Sequence, residues 1–451
     1  MRSARRPVGP PTAAILLSAV IGMTAAAGIT PAGAASPARA VAATPRPVIF
    51  VHGFFGSGSQ WETQAKRFAG NGYPADRIES QEYDSLFLNN TSDQVFTQLD
   101  QRIARLKART GADKVDLVGH SLGTTMSQDY LKSSTSRAAN VAHYVNIDGL
   151  GASSLPGGVP TLGITGEGNT STITGGTNVA LSTQSHVQTT SSEATFAAAY
   201  TFLTGKAPAT TEVVPQPGQI QLAGRAVSFP SNVGVRNGRL DVYTVDPATG
   251  RRTGAAPVAS YPLSGDGAFG PFPASGTASY EFAISHNGNP QVHHQYFQPF
   301  RRTDLGIRLL STDPGTGVDL LIEHDRRHVA LSIYRNKEWW GDQGAGNDTL
   351  TVNGTGIINS TITPRSKRAI DIMAFDAKSD GVSQVTTTPG LLGGLPFITG
   401  VDLYVPATGQ PNGTVTLESR QRGGNGGTAR IATPNWPSDT HVITATFDDY
   451  S

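Results

Sequence analysis

The chain has 451 residues, 35 of them basic and 34 acidic, and no cysteine. At 37% hydrophobic and 15% charged it can bury substantial cores, and its balanced charge excludes a disordered polyelectrolyte or a nucleic-acid binder driven by bulk charge. Without cysteine there are no disulfides, thiolate metal sites or cysteine nucleophiles. Its 52 glycines and 29 prolines point to many turns and so to a β-rich portion.

Arg2, Arg5 and Arg6 precede an apolar run over 12–29, and Ala32-Gly33-Ala34 fits a small-residue cleavage site. This pattern predicts an export signal over 1–34, a leader over 35–46 and a secreted product without a transmembrane anchor in the mature chain. From Pro47 to residue 206 strands and helices alternate. Pro47 to Gly53 reads as a buried strand ending in glycine. Ser59 opens a helix carrying Trp61, Ala65 and Phe68, and Ser92 caps a longer one with Val95, Leu99, Ile103 and Leu106 on one face. Strands follow over 114–118, 141–147 and 161–165, and a last helix starts at Ser191 or Ser192. Such alternation predicts a mostly parallel sheet with helices on both faces. A Pro- and Thr-containing linker is expected over 207–219. The region 220–451 then shows short alternating runs, including 240–245, 280–284, 318–322, 329–334, 401–405, 414–417 and 441–447, separated by Asn-Gly turns. It reads as all-β, in two or three sandwich-like units.

Gly119-His120-Ser121-Leu122-Gly123 fits G-x-S-x-G between a strand and a helical run, the setting of a nucleophile elbow, which lifts a serine hydroxyl clear of a sheet. His52-Gly53-Phe54-Phe55-Gly56 follows the first strand, where a loop can give a backbone N–H to an oxyanion. By position the two donors are Phe54 and Leu122. A serine nucleophile needs a histidine base, and the base a carboxylate. His186, in a loop downstream of Ser121, is the best placed of ten histidines. His52 and His120 belong to the two motifs, His143 to a strand, and the other six to the β half. Asp148, ending the strand 141–147, and Glu167, two strands on from the nucleophile, both remain candidates for the acid; Asn169 cannot serve. His324 and His328 lack the glutamate of a zinc protease, and Gly344 to Leu350 offers one copy of a calcium turn that works in stacked copies, so neither predicts a metal.

On these residues the stretch 45–205 resembles the α/β-hydrolase superfamily, and within it bacterial lipases. The resemblance rests on Val48 to Gly53, Gly119 to Gly123, Asp148, Pro160 to Gly166 and His186 to Thr189. A hydrolase followed by a long β half also looks like archaeal-type two-domain lipases, in which the β domain supports lipid binding. Many superfamily members carry the acid at the position held here by Asn169, whereas the lipase branch that takes it one strand earlier would use Asp148. The resemblance implies a secreted serine ester hydrolase, foremost a lipase acting on acylglycerols, with Ser121, His186 and Asp148 as triad and no cofactor. A polyester depolymerase is the alternative enzyme, and a surface-binding protein with a relic hydrolase half a third reading. Expected partners are lipid or other ester substrates at an oil–water or solid interface, not nucleic acid. Two stretches, 84–93 with Leu86-Phe87-Leu88 and 149–159, could act as small lids.

Overall fold

The computed structural model describes residues 45–423 and 427–450, so the expected export signal and most of the leader lie outside the described residues. The first half builds a six-stranded, all-parallel sheet from β1 (Val48–Val51), β2 (Ile78–Gln81), β3 (Val115–His120), β4 (Val141–Ile147), β5 (Thr161–Thr165) and β6 (Thr177–Ala180). Their spatial order is β2-β1-β3-β4-β5-β6. β1 and β3 are buried along their whole length, as strands covered on both faces must be. On one face α2 (Ser92–Thr110) and α3 (Leu122–Ser133) enclose a core of Ile49, Leu99, Ile103, Leu117, Tyr130 and neighbours. On the other, α1 (Glu62–Gly70) and the helix Glu193–Thr204 cover Phe50, Phe68, Val145, Ile164 and Phe196.

Local sequence explains the helix ends. Thr91, one residue before the expected cap, closes α2 in a reciprocal capping box with Gln94, and Gly111 ends it at φ 68°. Ser192 caps Glu193–Thr204 by accepting the N–H of Thr195. β2 and β6 carry little sequence signal: apart from the buried Gln81 their residues are exposed or half-exposed and lack the apolar run that marks an inner strand.

Residues 207–219 cross over without regular structure until Gln219 begins the β half. No α-helix follows Thr204 among the described residues. An eight-stranded mixed sheet runs in the order Ala259–Leu263, Gly238–Val245, Ser279–His286, Val292–Phe297, His441–Thr446, Leu331–Tyr334, Asp371–Phe375, Ile398–Asp402. One end packs over the strands Ala268–Ser275, Gln219–Ser228 and Asp304–Ser311, enclosing Leu222, Leu240, Phe269, Phe282 and Ile307. The other end packs with strands that include Thr349–Val352, Thr414–Arg420 and Ala429–Pro434 around Ile333, Trp339, Leu350, Leu417 and Ile443. The parallel pairing of Val292–Phe297 with His441–Thr446 makes the sheet continuous between the two layered parts. One expected strand is absent: Gly317–Leu321 is a 3-10 helix. Gly315 and Gly317 adopt positive φ there, and the Gly315 N–H donates to the Asp319 carboxylate at 2.6 Å, which curls the segment.

The start of α3 passes directly over the end of β1. A Cβ on Gly123 would overlap the carbonyl oxygens of Val51 and His52. Gly123→Ala should therefore lower stability by about 1–3 kcal/mol through overpacking, read as the midpoint of denaturant unfolding; an unchanged midpoint would contradict this close passage.

Candidate active site

Ser121 joins β3 to α3 with φ 53° and ψ −122°, a backbone conformation that a serine holds only when its surroundings impose it. The constraint is visible on both sides. Its N–H donates to Ile147 O at 3.0 Å, and Thr124 N–H and Oγ1 donate to its carbonyl at 2.9 and 2.7 Å. Gly53 lies against it so closely that a Cβ there would stand 2.9 Å from Ser121 Cβ. The turn after β1 is thus pressed against the elbow.

That turn is fixed from several directions. Gly53 N–H donates to Gln60 Oε1 at 3.3 Å, Phe55 N–H to Ser85 Oγ at 3.0 Å and Gly56 N–H to Gly53 O at 3.1 Å. His52 is fully buried and stacks on Tyr83, with ring centroids 4.3 Å apart. Burial holds its pKa below the usual histidine value, and its Nδ1–H donates to Gly53 O at 2.9 Å. Asn232, from the β half, donates to Gly56 O at 2.7 Å and Tyr83 O at 3.1 Å. Among the described hydrogen bonds none engages the N–H of Phe54 or of Leu122. These are the two donors expected from the motifs.

Asp148, the residue after β4, has φ 46° and is 6% exposed. Its Oδ1 accepts the Gly166 N–H at 2.7 Å and Asn169 Nδ2 at 2.9 Å, and its Oδ2 accepts His186 Nδ1–H at 2.6 Å. Burial alone would raise this carboxyl, but the bonds from His186, Gly166 and Asn169 to its charged form bring it down to about 2. Glu167, the competing candidate, points elsewhere: it is 42% exposed and ion-pairs with Arg365. Asn169, at the position where the resemblance places the acid of many superfamily members, donates to Asp148 instead.

His186 precedes a four-residue helix, Gln188–Ser191. The buried His120, adjacent to Ser121, links it to the elbow: His120 Nε2–H donates to His186 O at 3.0 Å, and the two rings lie 4.5 Å apart. Burial keeps His120 well below its ordinary pKa, so it is neutral, with Nδ1 accepting from Gln60 Nε2 at 3.0 Å. No described hydrogen bond joins Ser121 Oγ to His186; such bonds commonly close only with substrate in place. Phe397, from the β half, lies near the His186 ring, with 6.3 Å between ring centroids.

Apolar side chains border the site. Phe54, Phe55 and Leu86 from the first half form one cluster with Phe229, Met373, Leu392 and Phe397 from the second. The stretch 84–93 is folded around Asp84, whose carboxylate accepts the N–H groups of Leu86, Leu88 and Asn89. Leu88 is 79% exposed and Leu150, in the second expected lid stretch, 64%. The other singled-out residues are engaged elsewhere. His143 bonds Asp116 at 2.8 Å, His324 pairs with Asp319 at 3.1 Å, and Asp348 pairs with Arg335 and Arg422. Among the described residues no group of three His, Asp or Glu has metal-binding geometry, and no helix is long and apolar enough to cross a membrane.

Three family models match successive stretches: lecithin:cholesterol acyltransferase over 54–229, the lipase C-terminal domain over 218–314, and a further C-terminal domain over 317–451. No curated protein matches the chain significantly. Among solved structures, Bacillus licheniformis lipase BlEst2 in propeptide form is 13% identical, covering 88% of this chain and 95% of its own, with a TM-score of 0.30. Phospholipase PlaB from Legionella pneumophila is 11% identical, with 89% and 93% covered and a TM-score of 0.22. A gene product of Listeria innocua is 17% identical, with 37% and 97% covered and a TM-score of 0.28.

The depressed pKa of Asp148 has a stability consequence. Its carboxylate stabilises the fold above the ordinary value of 3.8, and that contribution is lost as pH falls towards about 2. Asp148→Asn should melt below the natural chain at neutral pH, with the gap closing across that acid window. A gap in Tm that stays constant with pH would contradict the bonding described.

Proposed function

We propose that this chain, a carboxylic ester hydrolase of the α/β-hydrolase fold with a lipase-type β-rich C-terminal half, is a secreted serine hydrolase of acylglycerols. In this reading Ser121 Oγ attacks the ester carbonyl carbon while His186 Nε2 takes the hydroxyl proton. The N–H groups of Phe54 and Leu122 bind the oxyanion as it forms. The adduct collapses, the bond to the alcohol oxygen breaks, and His186 returns the proton to the departing alcohol. Water then attacks the acyl-enzyme, giving up a proton to His186, and the acid leaves as Ser121 regains its proton. Asp148 holds His186 Nδ1–H and stabilises the imidazolium between these transfers.

One observation supports this reading above the others: the strained Ser121, two N–H groups without a described partner, and the Asp148–His186 pair converge around the turn after β1. The apolar cluster of Phe54, Phe55, Leu86 and Phe397 supports an acyl chain as the group bound. The arginine-led apolar N-terminus supports export.

A variant panel on one soluble ester tests the assignment. Ser121→Ala should cost about 10⁶-fold in kcat. Asp148→Asn should cost on the order of 10⁴-fold, and Glu167→Gln under about tenfold, the size expected when only a solvated ion pair is lost. With emulsified triglycerides of increasing chain length, the natural chain should release fatty acid. A tenth of natural activity left in Ser121→Ala would overturn the nucleophile, and activity confined to short soluble esters would overturn the acylglycerol reading.

A further inference from the structure

The loop carrying His186 is gripped by a charged cluster from the other half of the chain. Glu338, wholly buried, accepts Ser185 Oγ–H at 2.5 Å, Val187 N–H at 2.6 Å and Gln188 N–H at 3.1 Å. Its carboxylate therefore brackets His186, bonding the residue before it and the two after. Arg422 reinforces the grip, donating to Ser185 Oγ at 3.1 Å and to Gln188 Oε1 at 3.3 Å. Arg422 is in turn held by Asp348 at 2.9 Å, and Asp348 also takes Arg335 at 2.7 Å. Arg335 Nη2 donates to Glu338 O at 2.5 Å, closing the cluster on itself. Tryptophan rings cover the guanidinium groups, Trp339 at Arg335 and Trp340 at Arg422, each 3.7 Å from ring centroid to charge. The same strand end continues along the hydrolase: Asn336 Nδ2 donates to Ser59 O at 3.0 Å, and Ser191 Oγ donates to Asn336 O at 3.3 Å.

A buried carboxylate with three donors is costly to desolvate, and apolar packing would hold two halves together without it. What the carboxylate adds is direction. It fixes the backbone on both sides of one residue, in a loop whose own helix has four residues and supplies little rigidity. We propose that Glu338 is a positioning residue for catalysis: through Ser185, Val187 and Gln188 it sets the imidazole of His186 between Asp148 and Ser121, so that the β half completes the active site of the first half. This rests on the triad reading above.

The test uses the full-length chain. Glu338→Gln keeps the shape but offers one acceptor oxygen where two are used. It should lower kcat on a soluble ester about tenfold. Glu338→Ala should lower it about 10²-fold, the cost of a small misplacement of a reacting group. KM should stay within about twofold in both, because Glu338 touches no substrate. Ser185→Ala, which removes one of the three donors, should give a smaller loss of the same kind. The proton in the His186–Asp148 bond should appear as a low-field NMR resonance, absent from His186→Ala, retained in the natural chain and broadened by exchange in Glu338→Gln. If Glu338→Ala does not fold, Glu338→Gln and Ser185→Ala decide the question. Natural kcat and an unchanged resonance in both would overturn the positioning role, as would a fall in Tm alone. Should Ser121→Ala or His186→Ala remain active, the triad reading itself fails, and the role of Glu338 with it.

Discussion

The 2.6 Å hydrogen bond from His186 to Asp148 joins two loops that extend from different parts of the sheet. Neither partner is held by regular structure of its own. Asp148 stands one residue past β4 at φ 46°, and His186 lies in the loop before the helix Gln188–Ser191. Each is positioned by its neighbours instead. Gly166 and Asn169 saturate the free oxygen of Asp148, while His120 takes the carbonyl of His186. The elbow is built on the same principle, since Ser121 holds its strained conformation under the close approach of Gly53 and the bond to Ile147. A site of this kind is only as rigid as the parts pressed against it.

This dependence explains how the β half is attached. Pro45–Ser451 packs as one unit. Beyond the Glu338 cluster, Arg308 bonds the Glu82 carboxylate, Asn232 braces the turn after β1, and Lys66 pairs with Asp304 at 3.2 Å. Phe229, Met373 and Phe397 complete the apolar border beside Phe54 and Phe55. Three segments that bear on the site, around 52–56, 84–86 and 185–188, are thus each contacted from the second half. The sequence leads us to expect a substrate-binding appendage; under the proposal above that half would also set the geometry of the site.

The inner strands and long helices were legible because their patterns are local: β4 and β5 run over the residues expected, and α2 shows its apolar face at 95, 99, 103 and 106. The elbow was legible because glycine is required there by close packing. The acid was open between Asp148 and Glu167 because side-chain reach depends on loop paths, which periodicity does not encode. Asn169 stood out only as a missing acid, and its bond to Asp148 is a tertiary fact. Glu338 and Arg422 carry no local signal of this role, since they bond Gln188 across 150 and 234 residues of sequence. One signal was available: Arg335-Asn336-Lys337-Glu338-Trp339-Trp340 places three charges directly after an apolar strand, where burial demands partners. The 317–321 segment failed as a strand because its glycines permit a curl that alternation alone does not reveal.

The most direct measurement of the central claim is the site and speed of covalent labelling by a fluorophosphonate, mapped by peptide mass spectrometry on the full-length chain. A nucleophile activated in the way described predicts one phosphonyl group per chain, on Ser121, formed rapidly in the natural protein and negligibly in His186→Ala. Labelling at another residue, or equal labelling of Ser121 with His186 removed, would contradict the account.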